Sequence, residues 1–329
     1  MLEKTAVVGA GLMGGQIALV LAMGSRRTFL TDTDQRILDK SLENIGRYAS
    51  DLRRHDLLPE EPSKVVERIQ TTTSLEKAAA GAELVAEAVF EDLEVKKDVF
   101  RRLDESTERH TILSSNTSGF PITKLAAAAT RAPERVVGGH FVQPAHVVPI
   151  VEVTKGDKTS DDVIKRTREI WLGLHRIPIL INKDIPGFIL NRIQHAMIRE
   201  ATFLLAEGIA GAEDIDLTVS LGLAPRLTVS GPLEQRDMNG IDLNYKIAKN
   251  LWSELSGSEE PLEFLKHKVE KGELGLKSGR GYYDWSGMKP DDVRSARDEA
   301  LLQTTQEVLG RMKTQKYMPH ESVPAGTRN

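Results

Sequence analysis

Thr5-Ala6-Val7-Val8-Gly9-Ala10-Gly11-Leu12-Met13-Gly14-Gly15-Gln16-Ile17-Ala18 passes from an apolar, β-prone run through spaced glycines into a helical apolar stripe that Val20, Leu21 and Ala22 continue. The stretch predicts strand, tight turn and helix. A GxGxxG pattern alone is weak, since glycines also mark ordinary turns. Directly after a strand and opening a helix, it is the arrangement in which a dinucleotide pyrophosphate meets free backbone N–H groups at a helix N-terminus. Gly9 permits the turn, Gly11 lets the pyrophosphate approach the backbone, and Gly14 packs the helix on the strand, with Leu12 and Met13 between them as cofactor neighbours. Asp32 ends the next strand, eighteen residues after Gly14. There a carboxylate can accept from both adenosine ribose hydroxyls and repel a 2′-phosphate; the plainer reading is a solvated strand-end or capping residue. Arg36, one helical turn on, could partly offset that repulsion. NAD is the expected cofactor.

Outward from this unit, strands and helices alternate. Arg27 to Leu30 reads as a strand, Asp34 to Leu58 as a long polar helical arm, Ser74 to Ala80 as a short helix, and Leu84 to Val89 as a buried strand. Helix Leu93 to Leu103, strand Thr111 to Ser114 and helix Ile122 to Ala128 follow. Extended runs at Val136 to Phe141, Val147 to Val153 and Ile177 to Ile181 extend the same sheet, the first two joined by a proline-containing turn. After Asp184-Ile185-Pro186-Gly187 the texture changes: Ile189, Ile193, Met197, Ala201, Leu204 and Leu205 recur at three- and four-residue steps. From there to Trp285 the chain reads as helices broken at Gly208, Gly222, Gly231-Pro232, Gly257 and Gly272; Asp291 to Met312 is a further helix, and Pro319 to Asn329 a loose tail. The fold class is α/β: an N-terminal Rossmann-type doubly wound sheet (1–184, with a helical arm around 36–70), then an all-α C-terminal domain (185–329).

Bulk composition narrows the function classes. At 329 residues two domains fit better than one core, and 40% hydrophobic with 28% charged residues suits a globular chain. A net charge of −4 supplies no field for nucleic acid or anionic lipid, and pairs such as Arg26-Arg27 and Arg101-Arg102 are scattered. Cysteine is absent, which excludes disulfides, thiolate nucleophiles and cysteine metal sites. No apolar stretch is long enough for a membrane span and no export segment is implied, so a cytoplasmic protein is expected.

Six segments in fixed order carry a resemblance: Val8 to Gly14, Glu87-Ala88-Val89-Phe90-Glu91, Ser115-Asn116-Thr117-Ser118, Gly139-His140-Phe141, Val151-Glu152-Val153, and Pro186-Gly187-Phe188-Ile189-Leu190-Asn191-Arg192. Together with Gly231-Pro232-Leu233-Glu234 and Lys277 to Tyr283, they resemble the 3-hydroxyacyl-CoA dehydrogenase family over nearly the whole chain to Trp285. The resemblance implies hydride transfer between NAD and the hydroxyl-bearing carbon of a 3-hydroxy acid derivative, with a homodimer formed through the helical domain. It implies His140 as general base and Glu152 as the residue that orients it. Histidine suits the task because its ordinary pKa lies near neutrality and a carboxylate on its other nitrogen fixes the tautomer. Ser118 and Asn191 would hold the substrate oxygen and the histidine, Glu91 and Asn116 the nicotinamide ribose, and Lys96 a nearby cofactor or substrate group. Each has a plainer reading: a buried hydrogen-bonded histidine, a loop hydroxyl, a helix-start cap, a solvated lysine.

Departures from the family pattern concern the substrate. After His140 this chain has Phe141-Val142-Gln143-Pro144 in place of the family's Phe-Phe-Asn-Pro, with His146 and Pro149 beyond. Ser118 is followed by Gly119-Phe120-Pro121 rather than a second serine, and the helical signature continues as Gln235-Arg236-Asp237-Met238-Asn239. These changes resemble branches that oxidise free hydroxy acids or other small alcohols, and Gln143 is expected to line the altered pocket. The substrate expected is a 3-hydroxyacyl-CoA of the 3-hydroxybutyryl-CoA type, the alternative a free 3-hydroxy acid or small alcohol, and a third reading a catalytically silent, crystallin-like NAD binder. Arg53-Arg54 falls on the arm that in relatives lies near the CoA phosphates. A metal site at His140, His146 and Glu152 has no recognised ligand spacing.

Overall fold

The computed structural model describes residues 2–314; the tail expected at Pro319 to Asn329 lies outside the described residues. Eight strands form one sheet in the order β3-β2-β1-β4-β5-β6-β7-β8. They are β1 (Leu2–Val8), β2 (Ser25–Thr31), β3 (Ile69–Thr72), β4 (Leu84–Glu87), β5 (Ile112–Ser115), β6 (Val136–Phe141), β7 (Ile150–Thr154) and β8 (Ile177–Ile181). All neighbours are parallel except β6 and β7, which run antiparallel. Every residue of β4, β5 and β6 is buried, as a sheet covered on both faces requires. One face carries α1 (Leu12–Ala22), α2 (Gln35–Arg54) and α7 (Asp161–Gly173), whose Ile17, Leu21, Leu38, Ile45 and Trp171 share a core cluster. The other carries α4 (Leu75–Ala79), α5 (Leu93–Ser106) and α6 (Ile122–Ala126), with Leu75, Phe100, Leu103 and Leu125.

The arm is α2 followed by α3 (Pro62–Val66). Asp34 caps α2 by accepting the Arg36 N–H at 2.8 Å, and Leu38, Ser41, Ile45, Tyr48, Ala49 and Leu52 form its buried stripe at three- and four-residue spacing. Pro62 opens α3 in the first turn, where its missing N–H costs nothing.

The chain divides into two compact units, residues up to Arg192 together with Asp298–Gln306, and Ile193–Arg297 together with the residues from Glu307. The second contains most of α8 (Leu190–Ala206), then α9 (Ala212–Leu217), α10 (Ala224–Leu227), α11 (Pro232–Asn239), α12 (Ile241–Leu251) and α13 (Glu263–Glu270). The terminal helix α14 (Pro290–Thr314) lends its middle to the first unit: Leu302 is 2% exposed and belongs to the core cluster of α1 and α2. Glu299 lies 2.8 Å from His55 and 3.4 Å from Arg54.

Several local expectations are corrected. Residues 147–149 are not strand, because the Val147 and Val148 N–H groups turn back to the Pro144 carbonyl. Gly222 breaks no helix; it sits in a π-helical turn, Thr218–Leu223, between α9 and α10. Residues 274–285 are not helical but a turn closed by bridges Gly275 to Arg280 and Arg280 to Asp284. No helix among the described residues is long and apolar enough to cross a membrane.

Candidate active site

The glycine turn has the shape a dinucleotide needs. Gly9 stands at φ +96°, and a Cβ there would come within 2.6 Å of the Ala88 carbonyl oxygen. A Cβ on Gly14 would lie 1.8 Å from the Gly9 oxygen, whereas beside Gly11 there is open space. Gly11 caps α1 without a side chain, so the first-turn N–H groups at Leu12 and Met13 are left for a ligand. Asp32 is anchored beside the turn, accepting the Ala10 N–H at 2.8 Å and the Asp34 N–H at 3.3 Å. Arg36 does not offset it: Asp34 grips the guanidinium at 2.6 Å and holds its own carboxyl below the usual range through that hydrogen bond. A cavity of about 490 Å³ runs from Gly11 and Leu12 past Asp34 and Ile37 to Asn44 and Tyr48. These residues fit NAD.

At the same edge of the sheet, His140 and Glu152 are direct partners in the β6–β7 register. The bond His140 Nδ1 to Glu152 Oε2 is 2.8 Å, and both side chains are buried, leaving Nε2 without a hydrogen-bond partner among the described residues. The other oxygen of Glu152 accepts the Ile189 and Leu190 N–H groups at 2.9 and 2.8 Å, so one carboxylate holds the imidazole and the start of α8. Burial opposes its charge, but the His140 hydrogen bond and those two N–H groups outweigh it and keep the carboxyl below the ordinary range. Phe188, buried and at φ +47°, lays its ring 5.6 Å from the imidazole. It has no counterpart among the site residues expected from the sequence, and it follows Gly187, whose φ is +76°.

A second carboxylate organises the loop after β5. Glu91 accepts the Thr117 hydroxyl at 2.5 Å and the Ser118 and Gly119 N–H groups at 3.1 and 3.0 Å. Burial works against its charge too, yet Thr117 and Lys96 hold its carboxyl low. Lys96 is placed differently from the expectation: its ammonium is enclosed, 2.7 Å from the buried Glu87 and 3.2 Å from Glu91, so it reaches a ligand only through Glu91. Glu87 also accepts the Ser115 hydroxyl at 2.6 Å, a network that lone residue types did not reveal. Asn116 Oδ1 accepts the Phe141 N–H at 2.8 Å and ties this loop to the residue after His140. The Ser118 hydroxyl and the Asn191 amide make no hydrogen bond among the described residues, and Gln143 is exposed in the β6–β7 loop before a cis peptide to Pro144. His146 lies apart from the His140–Glu152 pair in its contacts, stacked on Tyr48.

The sequence matches two family models, the NAD-binding domain of 3-hydroxyacyl-CoA dehydrogenase over residues 4–185 and its C-terminal domain over residues 187–285. It is 36% identical to a probable 3-hydroxybutyryl-CoA dehydrogenase of Deinococcus radiodurans, covering 86% of this chain and all of that one. It is 31% identical to the 5-formyl-3-hydroxy-2-methylpyridine 4-carboxylate 5-dehydrogenase of Mesorhizobium japonicum, over 94% of this chain and all of that one. A solved structure described as a dehydrogenase of that pyridine carboxylate, an NAD+ dependent dismutase, superposes with TM-score 0.88 at 30% identity, covering 94% and 99% of the two chains.

Proposed function

The chain belongs to the 3-hydroxyacyl-CoA dehydrogenase family of NAD-dependent oxidoreductases acting on CH–OH groups, and from that premise we propose that it oxidises a 3-hydroxyacyl-CoA of the 3-hydroxybutyryl-CoA type to the 3-oxo compound. The observation that carries the reading is the buried His140–Glu152 pair at the ligand edge of the sheet. His140 Nε2 takes the hydroxyl proton while the C–H electron pair leaves as hydride and the carbonyl forms. NAD, when bound, supplies the hydride acceptor. Glu152 fixes Nδ1–H and stabilises the imidazolium. Ser118 and Asn191, whose polar ends make no hydrogen bond among the described residues, hold the substrate oxygen; Glu91 and Asn116 meet the nicotinamide ribose, with Lys96 behind Glu91.

Residues 1–184 bind the cofactor and 185–329 serve the substrate and a homodimer. Among the described residues of 193–297, Ile215 alone of the apolar side chains is buried, while α8 and α12 expose Ile193, Met197, Leu243, Tyr245, Ile247 and Leu251. Covering those faces with a second copy would give this unit the core it lacks. A cysteine-free chain suits the cytoplasm.

A second reading, oxidation of a free hydroxy acid without CoA, is favoured by the arm. Arg53 pairs with Glu61, and Arg54 with Asp51 and Glu299, the last from α14, which lies beyond the matched C-terminal domain. Cations already matched by protein carboxylates are poor partners for CoA phosphates. One relative, which covers 94% of this chain, acts, by its name, on a pyridine carboxylate. Steady-state NADH formation with 3-hydroxybutyryl-CoA, longer 3-hydroxyacyl-CoAs and free 3-hydroxy acids tests both. Turnover of the thioesters alone supports the first reading; equal turnover of free acids, with no competition by CoA, replaces it with the second.

A further inference from the structure

Among the described residues three cationic side chains are buried: Lys96, Arg135 and Arg176. Lys96 has Glu87 at 2.7 Å and Arg135 has Asp104 at 2.8 Å, each partner as buried as the cation. Arg176, 6% exposed, has no carboxylate. Its Nη1 reaches the carbonyl oxygens of His146 and Val148 only at 3.5 and 3.4 Å, and its Nε makes no hydrogen bond. Burial lowers its pKa to about 10, which still leaves a full positive charge at neutral pH. A buried charge without a counter-charge is costly, and it persists where function supplies the partner.

The surroundings repeat the pattern. His146 is 4% exposed and its Nδ1 has no partner. Burial first, then Arg176 and Arg47, pull its pKa down to about 3, so the ring is neutral at pH 7. The imidazole stacks on Tyr48 with centroids 4.4 Å apart, and the Arg47 guanidinium lies 5.4 Å from the Tyr48 ring. On α2, Arg36, Lys40, Arg53 and Arg54 are matched by Asp34, Glu43, Glu61 and Asp51, whereas Arg47 meets no carboxylate. Tyr48 also lines the cavity that begins at Gly11.

Strand register puts this cluster beside the chemistry. Arg176 immediately precedes Ile177, which pairs with Ile150, two residues before Glu152. His146 lies in the loop that joins the His140 strand to the Glu152 strand. Both therefore sit at the carboxyl-terminal edge of the parallel strands, where ligands of such sheets bind.

We propose that Arg176, His146 and Arg47 form an anion subsite that takes one carboxylate of the substrate, apart from the group oxidised at His140. The buried Arg176 guanidinium beside a neutral imidazole matches a single negative charge, and Arg47, exposed on α2, adds a second cation that solvent screens. Arg176 offers the planar fork that a carboxylate accepts in bidentate fashion, and His146 Nδ1 a further donor when protonated there. The inference deepens the free-acid reading and rests on it.

The test measures binding of glutarate and of inorganic phosphate to the NADH-saturated protein by calorimetry, for wild type, Arg176→Lys, Arg176→Gln, His146→Asn and Arg47→Gln. Glutarate should bind wild type, weaken about ten- to a hundredfold in Arg176→Gln and less in Arg176→Lys, and outcompete phosphate. Arg47→Gln, on an exposed helix position, should weaken it severalfold and carries the comparison if Arg176→Gln does not fold. Unchanged glutarate affinity in the folded variants overturns the subsite, as does phosphate binding equal to glutarate with the same dependence on Arg176. Glutarate binding that needs Arg176, in a chain that oxidises only thioesters, sinks the free-acid reading and leaves the subsite standing. Free-acid turnover without glutarate binding does the reverse.

Discussion

At the scale of single residues, Glu152 does two things at once, and its variants should separate them. His140→Ala should lower kcat by roughly 10²–10⁴-fold while NAD affinity, measured by titration calorimetry, stays put. A fully active His140→Ala protein would end the assignment. Glu152→Gln should cost less in kcat but alter the acid limb of stability. The Glu152 carboxyl is held below its ordinary range, so its contribution is present above the unfolded value and is lost as pH falls through the lower folded one. Wild type should therefore lose its stability advantage over Glu152→Gln below about pH 4, read from urea midpoints across pH. Asp32, anchored on Ala10, should make NADP bind at least about tenfold more weakly than NAD, and Asp32→Asn should narrow that gap. The glycine turn, His140 and Glu152 were legible because each is tied to local geometry or to a partner one hairpin away. Lys96 was not: a sequence does not tell which side of a short helix-start faces the buried Glu87. Arg176 was silent for the same reason, since what marks it is a missing partner.

Elements were legible where apolar periodicity is long and illegible where pairing or docking decides. α1, α5 and β6 follow from their patterns. β3 carries one buried residue in four, Ile69, and exists because β2 offers it an edge. α7 also went unread, although its capping Ser160 and fully buried Trp171 are a usable signal. Residues 274–285 are glycine-rich bridged turns that a helix-dominated context hid. The terminal helix was visible as a helix, but its return to the first unit was not, because nothing in Leu301-Leu302 says which core receives it. Leu302→Ala should destabilise the protein by about 2–5 kcal/mol, the range for a fully buried leucine. Chemical denaturation followed by circular dichroism checks this; a cost below about 1 kcal/mol would mean that the contact is superficial.

For the whole molecule, the second unit's shortage of buried apolar side chains predicts a particle of twice the 36.4 kDa chain mass in light scattering, with a melting temperature that rises with protein concentration. A monomer at micromolar concentration, with a concentration-independent transition, would refute the homodimer. The placement of Leu302 also bears on biosynthesis. Residues up to 192 emerge from the ribosome first, but the slot that Leu302 fills stays open until more than a hundred further residues have been added. The nucleotide-binding unit thus waits through about a third of the chain's synthesis with the core position of Leu302 unfilled. An expressed fragment ending near Arg192 should be recovered largely with chaperones or in inclusion bodies, and a synthetic peptide spanning residues 290–314 supplied in trans should raise its soluble yield.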